Sequence, residues 1–380
     1  MGEVANIPQL RFPEFSNEWE ESKVGKVFKV SAGGDIKTEN VSQIKTDGFP
    51  YPIYANAEKA KGLYGYSNLY KSEANVVTVA GRGVNIGIAH VRLEPFYPIV
   101  RLLVLNPIKD ADVKFWENQL NQLNLFVEST GVPQLTAPQI SSYKVKYPSK
   151  PEQQKIAAFL TAVDNKIEQL SKKQELLGEY KKGLMQQIFS QAIRFKADDG
   201  SDFPDWEEKK LGDVSDCLDN RRQPLNGAER NQMKGDIPYY GANGIVDYVN
   251  DYIFDEELVL LAEDGGNFND FSSKPIAQKI SGKAWVNNHA HILKAKNIIA
   301  TDFLFYSLVH KDIRRYIVGG SRAKLNKSDL LSIKTILPPL EEQTKIANFL
   351  SSIDTKIEQV GKQLDESKQF KKALLQQMFV

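Results

Sequence analysis

The chain has a single cysteine, Cys217, in 380 residues. No internal disulfide framework can form, which points to a reducing compartment, the cytoplasm. No stretch approaches the roughly 18 consecutive apolar residues of a transmembrane helix, so no membrane contact is expected. Met1 to Arg11 lacks the apolar run of a secretory signal. An excess of one charge is also missing: 49 Lys and Arg face 48 Asp and Glu, for a formal net charge of +1. Any nucleic-acid role must therefore rest on local surfaces. Catalytic motifs are absent as well. There is no GxxxxGK[ST] phosphate loop and no Asx-Pro-Pro-aromatic methyl-transfer motif, and Asn106-Pro107-Ile108 lacks the second proline and the aromatic. Of the four histidines, His289 and His291 flank Ala290; this is not HExxH, and on a strand the two rings point to opposite faces. Pro204-Asp205-Trp206-Glu207-Glu208-Lys209 superficially resembles a nuclease's acidic metal site. Its carboxylates are crowded, however, and it reads better as the start of a domain. Neither a catalytic set nor a metal site is expected.

What is present is a long heptad pattern. From Pro151 to Ser190 the apolar residues Ile156, Leu160, Val163, Ile167, Leu170, Leu177, Leu184 and Ile188 follow gaps of four and three, with polar Gln174 and Lys181 on the same seam. That spacing predicts one long helix pairing with another. Pro151 suits the first turn, and Glu152 suits the positive end of the helix dipole. The partner lies in the same chain. Leu340 to Val380 carries the seam Ile346, Leu350, Ile353, Ile357, Val360, Leu364, Leu374 and Met378. Lys155-Ile156-Ala157 recurs as Lys345-Ile346-Ala347, Lys166-Ile167-Glu168-Gln169 as Lys356-Ile357-Glu358-Gln359, and Lys181 as Lys371.

The repeat extends beyond the helices, so the whole chain reads as a duplication. Trp19-Glu20-Glu21 matches Trp206-Glu207-Glu208, and Pro52-Ile53-Tyr54 resembles Pro238-Tyr239-Tyr240. The ends and helices repeat closely while the interiors diverge, which implies one architecture turned to two targets. The expected fold class is α+β: two duplicated mixed domains, 1–149 and 192–338, separated by two long helices, 150–191 and 339–380, that form an antiparallel coiled coil. Within the first domain, strands are expected at Asn75–Val79, Ile86–Val91, Ile99–Leu105 and Tyr143–Tyr147, with a helix at Phe115–Phe126. In the second, strands are expected at Leu258–Ala262, Ala284–Val286 and His291–Leu293. A polar loop is expected over Asp219–Gly235 and a helix over Asp302–Val318.

The divergent loops hold side chains suited to DNA. Arg and Lys pair with guanine, Asn and Gln with adenine, and phosphates accept from Lys, Arg, Ser, Thr, Tyr and backbone amides. The first domain offers Lys37, Thr38, Tyr54, Asn56, Lys59, Lys61, Tyr64, Tyr66, Arg82, Asn85 and His90. The second offers Arg221, Arg222, Asn243, Asn267, Lys274, Asn287, Asn288, His289, Arg322 and Lys324. Any one of them alone could be an ordinary solvated loop residue; as a set they indicate double-stranded DNA. A protein-binding scaffold and a duplicated enzyme are the competing readings, separated respectively by salt-dependent DNA binding and by turnover without partners.

Across essentially its whole length the chain resembles the specificity subunits of type I restriction–modification systems. The resemblance is carried by Pro151-Glu152-Gln153-Gln154-Lys155-Ile156-Ala157 and Glu341-Glu342-Gln343-Thr344-Lys345-Ile346-Ala347. The segments around Asp164 and Asp354 and the two closing stretches, KKGLMQQIF and KKALLQQMF, add to it. The second copy departs slightly, with Leu340 between Pro339 and Glu341. The resemblance implies two target-recognition domains, each reading one half of a split DNA site, with the helices setting the gap. It also implies two modification subunits bringing S-adenosylmethionine for adenine methylation, and two restriction subunits bringing ATP- and Mg-dependent translocation and cleavage. The specificity subunit itself holds no cofactor and is not an enzyme.

Overall fold

The computed structural model describes residues 7–57, 59–123, 125, 133–320 and 323–380. By its internal contacts the chain divides into two compact units: residues up to Lys172 together with Gly361–Val380, and Lys173–Val360. Each long helix therefore contributes to both units.

In the first unit the order is β1 (Glu20–Lys23), α1 (Val24–Val27), β2 (Phe28–Ala32), β3 (Val41–Ser42), β4 (Tyr51–Tyr54), β5 (Leu63–Ser67), β6 (Val76–Val79) and β7 (Ala89–Arg92). Then come β8 (Tyr97–Pro98), β9 (Leu103–Pro107), α2 (Val113–Asn121), α3 (Ala137–Ser142), β10 (Lys144–Tyr147) and the first long helix, α4 (Lys150–Phe189). One antiparallel sheet runs β2-β9-β6-β7; a second runs β3-β5-β4-β8, with β4 and β8 parallel. Strand β6, Val-Val-Thr-Val, is buried at every position, as a central strand covered on both faces requires.

The second unit repeats this plan. Its elements are α5 (Leu211–Val214), α6 (Gly227–Gln232), α7 (Thr301–Leu308), α8 (Lys327–Ser332) and α9 (Leu340–Met378). The strands are β11 (Glu207–Lys210), β12 (Ser215–Cys217), β13 (Lys234–Gly241), β14 (Gly244–Val249), β15 (Phe254–Asp255), β16 (Leu258–Ala262), β17 (Ala277–Ile280), β18 (Lys283–Val286), β19 (Ala290–Ala295), β20 (Ile317–Val318), β21 (Lys324–Leu325) and β22 (Lys334–Leu337). The sheets run β12-β19-β16-β17 and β14-β13-β18-β15, again with one parallel pair, β13 and β18. The all-buried centre is β16, Leu-Val-Leu-Leu-Ala.

The repeated Glu-Gln of the two helix starts is structural. Glu152 is 1% exposed and takes a bidentate grip from Arg11 at 2.7 and 2.7 Å, with the Trp19 indole donating at 3.3 Å. Glu342 is 0% exposed and takes the same grip from Arg194 at 2.8 and 2.9 Å, with Trp206 donating at 2.9 Å. Buried carboxylates need such partners. The neighbouring glutamines tie each long helix to its globular body. Gln153 accepts from the Asp112 backbone at the start of α2 and donates to Pro148. Gln343 does the same for Ala300 at the start of α7 and for Pro338.

The helices run antiparallel. In the first unit Ile156 and Leu160 share a core with Leu374 and Met378, and Asp164 pairs with Lys371 at 2.6 Å. In the second unit Met185 and Ile188 share a core with Ile346 and Leu350, and Lys181 pairs with Asp354 at 2.5 Å. From Asp164 to Lys181 the first helix advances by as many residues as the second falls from Lys371 to Asp354. Leu170, Ile353, Val360 and Leu364 are also buried, and Val163, Ile167, Leu177, Leu184 and Ile357 are half-buried. The polar seam lysines are thus ion-paired rather than misplaced. Among the described residues no helix is long and apolar enough to cross a membrane.

Several expected elements differ. The helix expected over Asp302–Val318 stops at Leu308 and gives way to the short strand Ile317–Val318. The loop expected over Asp219–Gly235 contains α6, whose start is capped by Asn226 accepting from Ala228 and Glu229. The expected strand Ile86–Val91 begins at Ala89. The expected strand Ile99–Leu105 begins only at Leu103, because Val100 and Arg101 adopt φ of +52° and +59°.

Candidate functional site

In each unit the divergent loops leave the sheets at one strand end. In the first unit they follow β2, β4 and β6 and precede β9. Asn56 clasps three of them: its amide donates to the Val100 carbonyl and its oxygen accepts from the Gly81 N–H at 2.8 Å. Arg82 lies across Gln134, with Nε at 3.2 Å and Nη2 at 2.9 Å from its oxygen. Tyr54 lies beneath the buried Arg92 guanidinium, 3.6 Å from the ring centroid. Arg92 donates to the Thr78 hydroxyl at 2.9 Å and the Lys61 carbonyl at 2.7 Å, and burial pulls its pKa down.

Lys59, Lys61 and Tyr64 are exposed around this frame. Lys37, 80% exposed, makes only a loose contact of 3.7 Å with Glu39. Thr38 and Tyr64 line a cleft of about 400 Å3, with Gly34, Ile36, Ile99 and Val100. Tyr66 is half-buried within β5. Asn85 sits in the turn before β7, its carbonyl accepting from Ile88 at 3.1 Å. His90 lies 3.7 Å from Glu117, and its other nitrogen is buried without a partner among the described residues.

In the second unit a cleft of about 630 Å3 opens between the β13–β14 turn, the Asp264–Gly266 loop and the turn before β19. Asn243, Asn287 and His289 all line it. Asn243 donates to the Gly265 carbonyl at 2.8 Å. Asn287 accepts from the His289 N–H at 2.8 Å, and His289 Nδ1 meets Asp264 at 2.5 Å.

Beneath the cleft lies a network of charges. Arg222 bonds Glu263 at 2.5 Å and the Ala290 carbonyl at 3.0 Å, and approaches Asp219 at 3.4 Å. Lys324 bonds Glu263 at 3.0 Å. His291, 1% exposed, meets Asp219 at 2.6 Å through Nδ1 and the Leu325 carbonyl at 2.8 Å through Nε2. Burial alone would push the imidazole pKa down. Its hydrogen bonds to Asp219, Cys217 and Leu325 instead raise it to about 9, so the ring is charged and donates from both nitrogens at neutral pH. Burial opposes ionisation of Asp219, yet His291 and the Ile292 N–H hold it below the usual carboxylate range; Arg222 and Lys324 do the same for Glu263. The Cys217, Asp219 and His291 ligand atoms lie within 4.8 Å of one another. With both imidazole nitrogens engaged, this group reads as an ion pair rather than a metal-ligand set.

Arg221 is held by Glu256 at 3.0 Å and stacks over Phe254. Asn267 donates to Pro275, Lys274 pairs with Asp270, and Asn288 is exposed. The expected strand-borne pair is split: His289, in the turn before β19, has a side chain 45% exposed, and His291, within β19, is buried. Arg322 lies outside the described residues. Sequence reasoning missed Arg101, which is exposed and, among the described residues, makes no side-chain hydrogen bond or ion pair. The apolar run Ile99–Leu105 concealed it by reading as one strand.

Comparisons with known proteins agree with the duplication. The model of a family described as the type I restriction modification DNA specificity domain matches residues 16–177 and again 204–367. A Haemophilus influenzae protein named as a type I restriction enzyme specificity subunit is 38% identical over 148 residues, which cover 39% of this chain and 37% of that protein. The specificity subunit of a type I restriction enzyme of Methanocaldococcus jannaschii is 28% identical over 313 residues, covering 73% of this chain and 71% of its own. The crystal structure of a type I restriction–modification S subunit from M. genitalium shares the fold, with a TM-score of 0.69 at 18% identity, over 98% of this chain and 99% of the other.

Proposed function

The chain belongs to the type I restriction–modification DNA specificity family, and from that premise we propose that its two recognition domains read two halves of one interrupted site in double-stranded DNA. The helix pair sets the gap between the halves and docks two modification subunits, which bring S-adenosylmethionine and methylate adenine. Two restriction subunits bring ATP- and Mg-dependent translocation and cleavage. The chain itself is the non-catalytic reader of a cytoplasmic complex.

The observation that carries this reading is the pairing of sameness and difference within one chain. The order of one four-stranded sheet, the parallel strand pair of the other and the Glu–Arg–Trp node recur in both units, while the strand-end loops and one edge strand, β3 beside β5 in the first unit and β15 beside β18 in the second, do not. A scaffold kept twice with two different loop surfaces is what reading two different sequences requires. Exposed Lys37, Lys59 and Lys61 suit phosphates, which position a protein on DNA, and side chains at the loop tips suit base edges, which specify.

The test is selection of randomised duplex DNA by the full chain in complex with its modification subunits. The expected result is an asymmetric bipartite motif with a constant gap, and affinity that falls steeply with salt. A contiguous motif, or binding without sequence preference, would overturn the reading.

A further inference from the structure

The turn that sequence reasoning took for a strand occupies a matched place in both units. Val79 pairs with Leu103 in the first unit and Leu261 with His291 in the second. Tyr54 pairs with Pro98, and Tyr240 with Val286. The same number of residues separates Pro98 from Leu103 as Val286 from His291. Arg101 and His289 therefore stand at one and the same position of the repeated scaffold.

Both positions are built to hold a side chain outward. In the first unit Val100 and Arg101 have φ of +52° and +59°, a conformation that is rare for any residue but glycine and a strong outlier for a β-branched one. The surroundings impose it. The Val100 and Arg101 N–H groups donate to Gly34 and Gly33 at 3.1 Å each, and the Asn56 amide holds the Val100 carbonyl. A Cβ on Gly81 would stand 2.9 Å from the Arg101 carbonyl oxygen, and one on Gly33 would stand 2.7 Å from the Pro98 carbonyl, so two glycines admit the turn. In the second unit the turn is fixed differently. The Asn287 side chain accepts from the His289 N–H, and Asp264 holds one ring nitrogen, leaving Nε2 for the cleft.

Resting on the half-site reading above, we propose that Arg101 and His289 are specificity-determining residues, Arg101 for the first half-site and His289 for the second. Arg101 is a guanidinium on a fixed turn, without a polar side-chain partner among the described residues, and its bidentate fork fits the O6 and N7 edge of guanine. Arg82, the arginine more visible in the sequence, is occupied by Gln134. His289 offers a single hydrogen bond from an oriented ring.

The experiment maps methylated sites, and selects randomised duplexes, for the full chain with its modification subunits, comparing wild type with Arg101→Ala, Arg101→Lys and His289→Ala. The Arg101 side chain makes no polar contact among the described residues, so its variants should keep the fold. Both should lose discrimination for guanine at one position of the first half-site by about 10- to 100-fold and leave the second half-site intact. His289→Ala should relax one position of the second half-site only. Lysine restoring full discrimination, or alanine lowering affinity uniformly with the motif unchanged, would reduce Arg101 to a phosphate contact and overturn the proposal. A bipartite wild-type motif that all three variants retain would overturn it alone. A wild type without a bipartite motif would sink the half-site reading and this proposal with it.

Discussion

The two recognition units solve the same mechanical problem with opposite chemistry. Where the second unit places Asp219, Glu263, His291 and Lys324, the strand registers put Ala32, Gly81, Leu103 and Gln134 in the first. One unit fixes its loops with charges that satisfy one another, buried except for Lys324 at the edge. The other uses an apolar strand end, glycines that let backbones approach, and a single asparagine clasp. A scaffold that accepts either solution constrains the ladder and leaves the loops free to differ. Buried ion pairs add little net stability over apolar packing, yet are costly to break halfway, so the two units should respond differently to the same insults.

The largest change is to remove the comparison altogether. Residues 1–192, one domain with one long helix, should form a homodimer. The repeat makes Lys181 the counterpart of Lys371, so Asp164 of each copy would meet Lys181 of the other, as Asp164 meets Lys371 now. Two identical readers about a two-fold axis should select a palindrome. Light scattering at tens of micromolar should give a dimer; a monomer, or a non-palindromic site, counts against it.

Next in size is the node that the units share. Arg194→Ala strands the fully buried Glu342, and breaking such a pair typically costs about 3–5 kcal/mol. Arg11→Ala should destabilise the first unit comparably through Glu152. Denaturant unfolding that shows either variant as stable as wild type would remove the node from the account.

The charged network separates the units by pH. His291 has a folded pKa of about 9 against 6.5 for the free side chain. Its contribution is thus fully present below about pH 6.5 and is lost as the pH rises through about 9, a change of roughly 3 kcal/mol. At the acid end Asp219 and Glu263, both held low, lose their contributions as the pH falls through their depressed folded values. Amide exchange between pH 6.5 and 9.5 should show protection falling in the core of the second unit but not the first. His291→Leu should abolish that slope, and an unchanged slope would exclude His291 as its source.

The smallest effect expected is at the exposed rim. Lys59→Ala should leave thermal stability within about 0.5 kcal/mol. It should lower affinity for all sequences alike, reducing the salt slope by about one counterion. A change in the selected motif would instead make Lys59 a base contact.

The sequence by itself determined the duplication, the long helices and the identity of the seam, because heptad spacing and repeated segments are properties of residue order alone. It also located both all-buried central strands, since a short run of apolar and β-branched residues between turns leaves few alternatives. Only the tertiary structure decided which loop side chains are free. Arg82, Asn56, Arg221 and Arg222 look like ligand-binding residues in a string of letters, yet each has a hydrogen-bond partner between 25 and 68 residues away. Arg101 was hidden in an apolar run, and no local signal marks its left-handed turn, because Gly33, Gly34, Asn56 and Gly81 impose it from three other loops. Glu152 read as a dipole partner, and both it and Glu342 proved to be buried anchors for arginines far away in sequence. Periodicity is local and survives in the sequence. The satisfaction of a polar group is a contact between distant segments, and it is fixed only when the chain has folded.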